Sequence, residues 1–144
     1  MLDSILPVTA LFLTHLVATW ALVGLIWTIQ IVHYPLFAQV GREAFPEYHR
    51  RHTRCITWIV APLMAVELIS GIALALEDSS GILRWSLGLL GFNWVSTACI
   101  QIPLHNRLEK GFEARAHAWL VRSNWGRTLA WSGRAFLLAL AALR

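Results

Sequence analysis

Residues 49–76 read His49-Arg50-Arg51-His52-Thr53-Arg54-Cys55-Ile56-Thr57-Trp58-Ile59-Val60-Ala61-Pro62-Leu63-Met64-Ala65-Val66-Glu67-Leu68-Ile69-Ser70-Gly71-Ile72-Ala73-Leu74-Ala75-Leu76. A basic, histidine-bearing segment runs directly into an apolar stretch whose single charge is Glu67. A helix that crosses a bilayer needs roughly 20 mainly apolar residues, and 55–76 has that length. The rest of the chain repeats the pattern. It has 144 residues, 57% of them hydrophobic and only 14% charged, with a mean hydropathy of +0.57. A soluble domain would carry about a quarter charged residues. Four apolar runs, at about 8–36, 55–76, 83–104 and 120–143, predict an all-α integral membrane protein. The expected fold is an antiparallel four-helix bundle forming a single domain over residues 1–144.

Polar segments separate the runs. Residues 38–54 and 105–118 are polar and basic, and an acidic turn covers 77–81. Tyr34-Pro35 is expected to end the first run, because proline disfavours helix at the residue before it. Pro46 is expected to open a short helix through Tyr48, His49 and His52. Pro62 is expected to kink the second span by removing a backbone hydrogen bond. No basic segment precedes the first run, so no cleavable signal is expected.

The basic residues set the orientation. Arg42, Arg50, Arg51, Arg54, Arg107, Lys110, Arg115, Arg122 and Arg127 fall at one face, Arg84 and Arg144 at the other, and Arg134 within the last span. The positive-inside rule then predicts a multi-pass protein of the inner (plasma) membrane, with 38–54 and 105–118 in the cytoplasm and both termini outside. Trp85, Trp119 and Trp125 fit interfacial belts. The net charge is +4, but the basic residues flank apolar runs and form no separate basic domain. The partner they imply is the lipid bilayer, with no nucleic acid. Cys55 and Cys99 fall in different runs without metal-finger spacing and are expected as free thiols. Gly24, Gly71, Gly88 and Gly91 permit close helix contacts, within the chain or between copies of a homo-oligomer.

An ionisable residue inside a span costs several kcal/mol unless paired, and the helical repeat supplies the pairs. His15 and His33 lie a whole number of helical turns apart, as do His49 and Glu67, at 3.6 residues per turn. If the first two helices run antiparallel, His33 is level with His49, and His15 with Glu67. The same counting brings Arg134 to the depth of Glu67. Two polar layers result. The one with His15, Glu67 and Arg134 is expected to be a structural ion pair with a hydrogen-bonding neighbour. In the third helix Asn93, Thr97, Gln101 and His105 recur every fourth residue, a stripe that should face the bundle interior.

The other layer gathers His33, His49, His52 and His105 at the cytoplasmic end. Four imidazoles from three helix ends suit a redox metal, iron, copper or haem iron, since neutral imidazole binds these ions. Gln30, Gln101 and Tyr48 would support that group by fixing the imidazole tautomers. Tyr48 is also a catalytic candidate, with Asn124 and Arg127 orienting the substrate. The plainer reading is that these histidines and arginines solvate a basic surface against anionic headgroups.

The segment Gln101-Ile102-Pro103-Leu104-His105-Asn106-Arg107-Leu108, followed by Asn124-Trp125-Gly126-Arg127-Thr128, resembles the small four-helix membrane family that includes anthrone oxygenases. His105 stands where that family shows the first Asn of a Pro-Leu-Asn-Asn-type segment. The first half, with His33-Tyr34-Pro35-Leu36-Phe37, Tyr48-His49-x-x-His52 and Glu67, resembles a group of uncharacterised small bacterial membrane proteins. The anthrone-type resemblance covers the last third of the chain. It implies oxidation of an aromatic substrate by molecular oxygen, without metal or flavin. The expectation is therefore a membrane oxidoreductase, oxygenase-like, acting on a lipophilic small molecule at the histidine-rich end of the bundle. Its alternatives are a metal-free oxygenase, in which a histidine takes a proton from an activated ring carbon, and a small transporter, channel or lipid-binding subunit. In the transporter a wet path would join the two polar layers. Apolar packing between them, with Val23 and Ile59 as candidate plugs, would mark a one-sided site.

Overall fold

The computed structural model describes residues 5–77 and 81–142, with side chains from Ala10 onward. All of the regular structure among them is helical. Four long rods form. The first is α1 (Ile5–Thr28), continued by a π turn (Ile29–His33), α2 (Tyr34–Leu36) and a 3-10 turn (Phe37–Gln39). The second is α3 (Phe45–Glu77). The third joins α4 (Gly81–Ser96) through a π turn (Thr97–Gln101) to α5 (Ile102–Leu108). The fourth is α6 (Ala114–Ala142).

Prolines explain the two π turns. Pro35 and Pro103 each sit just beyond one. A proline has no N–H to donate and its ring clashes with the carbonyl four residues back. Widening the preceding turn relieves both and lets the rod continue. The first rod thus runs to Gln39 instead of ending at Tyr34, and α3 likewise runs on through Pro62. The second rod starts at Phe45, ten residues ahead of the apolar run. Arg50, Arg51 and Arg54 ride on its exposed side, so no long polar loop is needed. A turn at Gly111, with φ of 148°, leads into α6. That backbone conformation strains any side chain. Arg107 and Glu113 clamp the turn at 2.6 Å. The expected acidic turn at 77–81 includes residues 78–80, which lie outside the described residues, as do residue 143 at the end of the fourth run and Arg144.

Adjacent rods are antiparallel. His15 meets Ser70 and Arg134 at one end, and Tyr34, His49 and His105 meet at the other. Polarity is inverted relative to a water-soluble protein. Glu67, Asn93, Asn124 and Arg134 are fully buried, whereas Trp58, Leu76 and Trp85 are at least three-quarters exposed. Three stretches, Ala10–Gln39, Phe45–Glu77 and Gly81–Leu108, are long and apolar enough to cross a membrane. The α6 rod is not among them, although a fourth span was expected at 120–143. Its arginines lower its hydropathy, and two of them turn inward: Arg134 is fully buried and Arg127 nearly so.

The depth counting for the first polar layer holds. Arg134 and Glu67 form a fully buried ion pair. Thr19 donates to Glu67 Oε1 at 2.9 Å and Trp131 Nε1 to Oε2 at 3.1 Å. The Ser70 hydroxyl is committed to the Val66 carbonyl, so His15 Nδ1–H donates to Ser70 at 2.9 Å. His15 Nε2 is then the acceptor for Arg134, 3.1 Å away. Gly71 makes room for that ring: a Cβ there would meet His15 Cε1 at 2.9 Å. Gly24, Gly88 and Gly91 have no neighbour of this kind. An apolar layer of Leu22, Val23, Ile26 and Met64 lies between this network and the histidine end. Ile59, expected as a plug beside Val23, is instead half exposed.

Candidate functional site

At the histidine end the side chains converge from all four rods. Phe37 and Phe45 are fully buried there with Leu104, Leu108 and Leu120. They pack against the imidazoles and exclude water. The His49 ring stacks on Phe45, with centroids 5.3 Å apart, and Phe37 stands edge-on to both His49 and His52.

A chain of three polar groups crosses this apolar setting. Nε2 of His49 lies 3.0 Å from Nδ1 of His105. Nε2 of His105 lies 3.0 Å from the Tyr34 hydroxyl. Two proton arrangements satisfy both contacts. Tyr34 donates to His105, which donates to His49, or every donor reverses. Proton hops along the chain from Tyr34 to His49 convert the first arrangement into the second and carry a proton's worth of charge from one end to the other. His117 steadies the tyrosine backbone, its Nε2 donating to the Tyr34 carbonyl at 2.7 Å.

The chain borders a cavity of about 750 Å³ between α3 and the α4–α5 rod. Its walls are mainly apolar, with Ile56, Val60, Met64 and Ile102 among them. Tyr34, His52, Gln101, His105 and Arg127 bring polar atoms to it. His52 makes ring contacts with His33, 5.5 Å between centroids, and with Phe37. It has no hydrogen bond to another described residue.

Arg127 reaches the wall from α6. It donates to Asn124 Oδ1 at 3.2 Å and lies over the Trp131 ring at 5.0 Å. Asn124 in turn donates to Gln30 Oε1 at 2.9 Å, and Gln30 Nε2 donates to the Val121 carbonyl at 3.2 Å. A buried row thus aims the guanidinium.

The structure brings together His33, His49, His52 and His105, as expected, but not as a ligand set. Among the described residues, no group of three or more His, Cys, Asp or Glu side chains is placed to hold a metal ion. Three of the nitrogens that would have to converge on an ion are spent instead. His49 and His105 share one hydrogen bond and His105 spends its other nitrogen on Tyr34. Gln30 and Gln101 make no hydrogen bond to an imidazole. Gln101 Nε2 donates to Ser123 at 3.1 Å, so neither glutamine fixes a tautomer. Tyr48 points outward, 41% exposed, against Phe37. Asn124 is fully buried, does not line the cavity, and acts on Arg127.

Two residues were missed. Tyr34 lies just past the π turn at Ile29–His33, so a 3.6-residue repeat does not fix its face. His117 opens the row His117, Leu120, Asn124, Arg127, Trp131, Arg134, spaced three or four apart along α6. No family model, curated protein or solved structure matches the chain.

Proposed function

We propose that this chain is a membrane-embedded enzyme that removes a proton from a lipophilic ring compound, without a metal, as the first step of oxidation by molecular oxygen. The membrane setting rests on the inverted polarity and the three long apolar stretches. Lipid solvates apolar surface and leaves polar groups to pair inside. The basic residues around the histidine end support a cytoplasmic position for it.

One observation carries the chemistry. A Tyr34–His105–His49 hydrogen-bonded chain and a hydrogen-bond-free His52 share the wall of one apolar cavity. Cavities of some 300–1,000 Å³ hold ligands of drug-like size. In this reading His52 takes the proton from a ring carbon that is conjugated with a carbonyl across the ring. The Tyr34 hydroxyl meets the carbonyl oxygen, and the His105–His49 pair adjusts its protons as charge develops there. The carbanion is then oxidised by oxygen, as the anthrone-oxygenase resemblance implies. For anthrone the balance is one substrate and one O₂ to one anthraquinone and one water. The apolar layer between the two polar networks favours this one-sided site over a transport path.

The test is oxygen uptake by the purified protein with anthrone in neutral detergent. Uptake that persists in excess chelator and falls in His52→Ala supports the proposal. Uptake abolished by chelator and restored by iron or copper returns the histidines to a metal.

A further inference from the structure

Arg127 and Arg134 lie on one face of α6, two turns apart, and both are buried. They make an internal comparison. Arg134 has a carboxylate, Glu67, against it. Arg127 has an amide oxygen, an aromatic face and the nearby Tyr34 hydroxyl. No carboxylate among the described residues pairs with it. A buried, uncompensated guanidinium is expensive. Neighbouring polar atoms are also unpartnered. Arg127 Nε, Trp94 Nε1 and Gln101 Oε1 are buried without a hydrogen-bond partner, and all three residues line the cavity. Asn93, fully buried, has neither amide atom satisfied. The antiparallel pairing of α4 with α6, fixed by Ser86 with Arg134 and Gln101 with Ser123, puts Asn93 level with Arg127. Three of these five atoms are donors without an acceptor, Arg127 Nε, Trp94 Nε1 and Asn93 Nδ2. Glu109, a carboxylate on the same wall, accepts from Thr53 at 3.0 Å and forms no ion pair with Arg127.

We infer that the natural ligand is an amphiphile anionic in its resting state, carrying a carboxylate or phenolate on an apolar body, with Arg127 as its counter-ion. This rests on the cavity being the ligand site. A neutral carbonyl would satisfy donors but leave the positive charge of Arg127 unmatched. An anionic oxygen satisfies both, and charge-assisted bonds are the stronger kind. The apolar body extends along Ile56, Val60 and Met64. The anion could belong to a lipid headgroup or to a free amphiphile, and the shared chemistry is the apolar-bound oxyanion.

The experiment compares 9-anthracenecarboxylate with its methyl ester, binding to wild-type protein in neutral detergent, read by ligand fluorescence anisotropy. The carboxylate is expected to bind on the order of tenfold more tightly or better. Arg127→Gln, checked for folding by circular dichroism, should lose that gap and keep the ester. Equal affinities in the wild type overturn the inference whatever the variant does, and leave the cavity reading in place. Failure of both probes to bind overturns the inference and the cavity reading together. Displacement by phosphatidylglycerol but not phosphatidylcholine assigns the anion to a lipid headgroup; no displacement by either assigns it to a free amphiphile.

Discussion

His105 Nδ1 lies 3.0 Å from His49 Nε2, and the two rings stack with centroids 5.0 Å apart. Only one hydrogen can sit between those nitrogens, so the pair shares it. With Tyr34 bound to the far side of His105, the protonation of one end sets that of the other. Removing the tyrosine hydroxyl should cut the chain without disturbing the packing, because the ring stays. Tyr34→Phe is predicted to lower turnover of an anthrone-type substrate by about 10²- to 10⁴-fold, with the melting temperature nearly unchanged. Steady-state oxygen uptake and a thermal scan on one preparation check both halves.

The Glu67–Arg134 pair is predicted to matter for stability and not for the site. Glu67→Gln leaves a buried guanidinium without its counter-charge, which costs about 3–5 kcal/mol. Replacing both residues, Glu67→Met with Arg134→Met, should recover much of that loss, because two buried charges go together. Probe affinity at the other end should change little in the double variant, since Leu22, Val23 and Ile26 intervene and the one link, Trp131, keeps its ring against Arg127 when its bond to Glu67 is lost. Denaturation in detergent and anisotropy titration are the measurements.

Gly71 and Gly24 should respond oppositely to alanine. A Cβ at Gly71 meets His15 at 2.9 Å and Leu90 at 3.3 Å. Both neighbours are fully packed, so Gly71→Ala is predicted to cost about 1–3 kcal/mol. At Gly24 nothing lies within 4 Å, so Gly24→Ala should be neutral or stabilise by up to about 1 kcal/mol. Thermal melts of the two variants side by side decide this.

Filling the cavity should block the ligand and spare the fold. Ala61 lies on the wall and is exposed on its own helix face. Ala61→Trp is predicted to weaken binding of both anthracene probes at least about tenfold, because a ligand would lose much of its apolar contact. Retained probe affinity alongside an intact melt would place the ligand elsewhere.

Much of this arrangement was legible in the sequence, and the boundary has a physical cause. Helical counting needs an unbroken repeat. Up to Thr28 in the first rod, and from Phe45 to Glu77 in the second, the chain supplies one, so the shared depth of His15, Glu67 and Arg134 and the gathering of His49 and His52 at one end could be derived. Each π turn inserts a fraction of a turn, at Ile29–His33 and Thr97–Gln101. Phase beyond them cannot be counted from a 3.6 repeat, and Tyr34 and His105 lie beyond them. Tyr48 is adjacent to His49 in sequence, but neighbours in sequence point to different sides of a helix. A histidine cluster also reads as metal ligands until ring orientations are known, and orientation depends on packing by Phe37 and Phe45. The arginines of α6 lower its hydropathy below that of the other three rods while marking its buried face.

The most direct measurement is hydrogen–deuterium exchange at C10 of anthrone, followed by NMR under argon in deuterated buffer with chelator. It isolates proton removal from oxygen chemistry. The account predicts exchange well above the buffer rate with wild-type protein, lost in His52→Ala and strongly reduced in Tyr34→Phe. Exchange at the buffer rate with folded, probe-binding wild-type protein would contradict it.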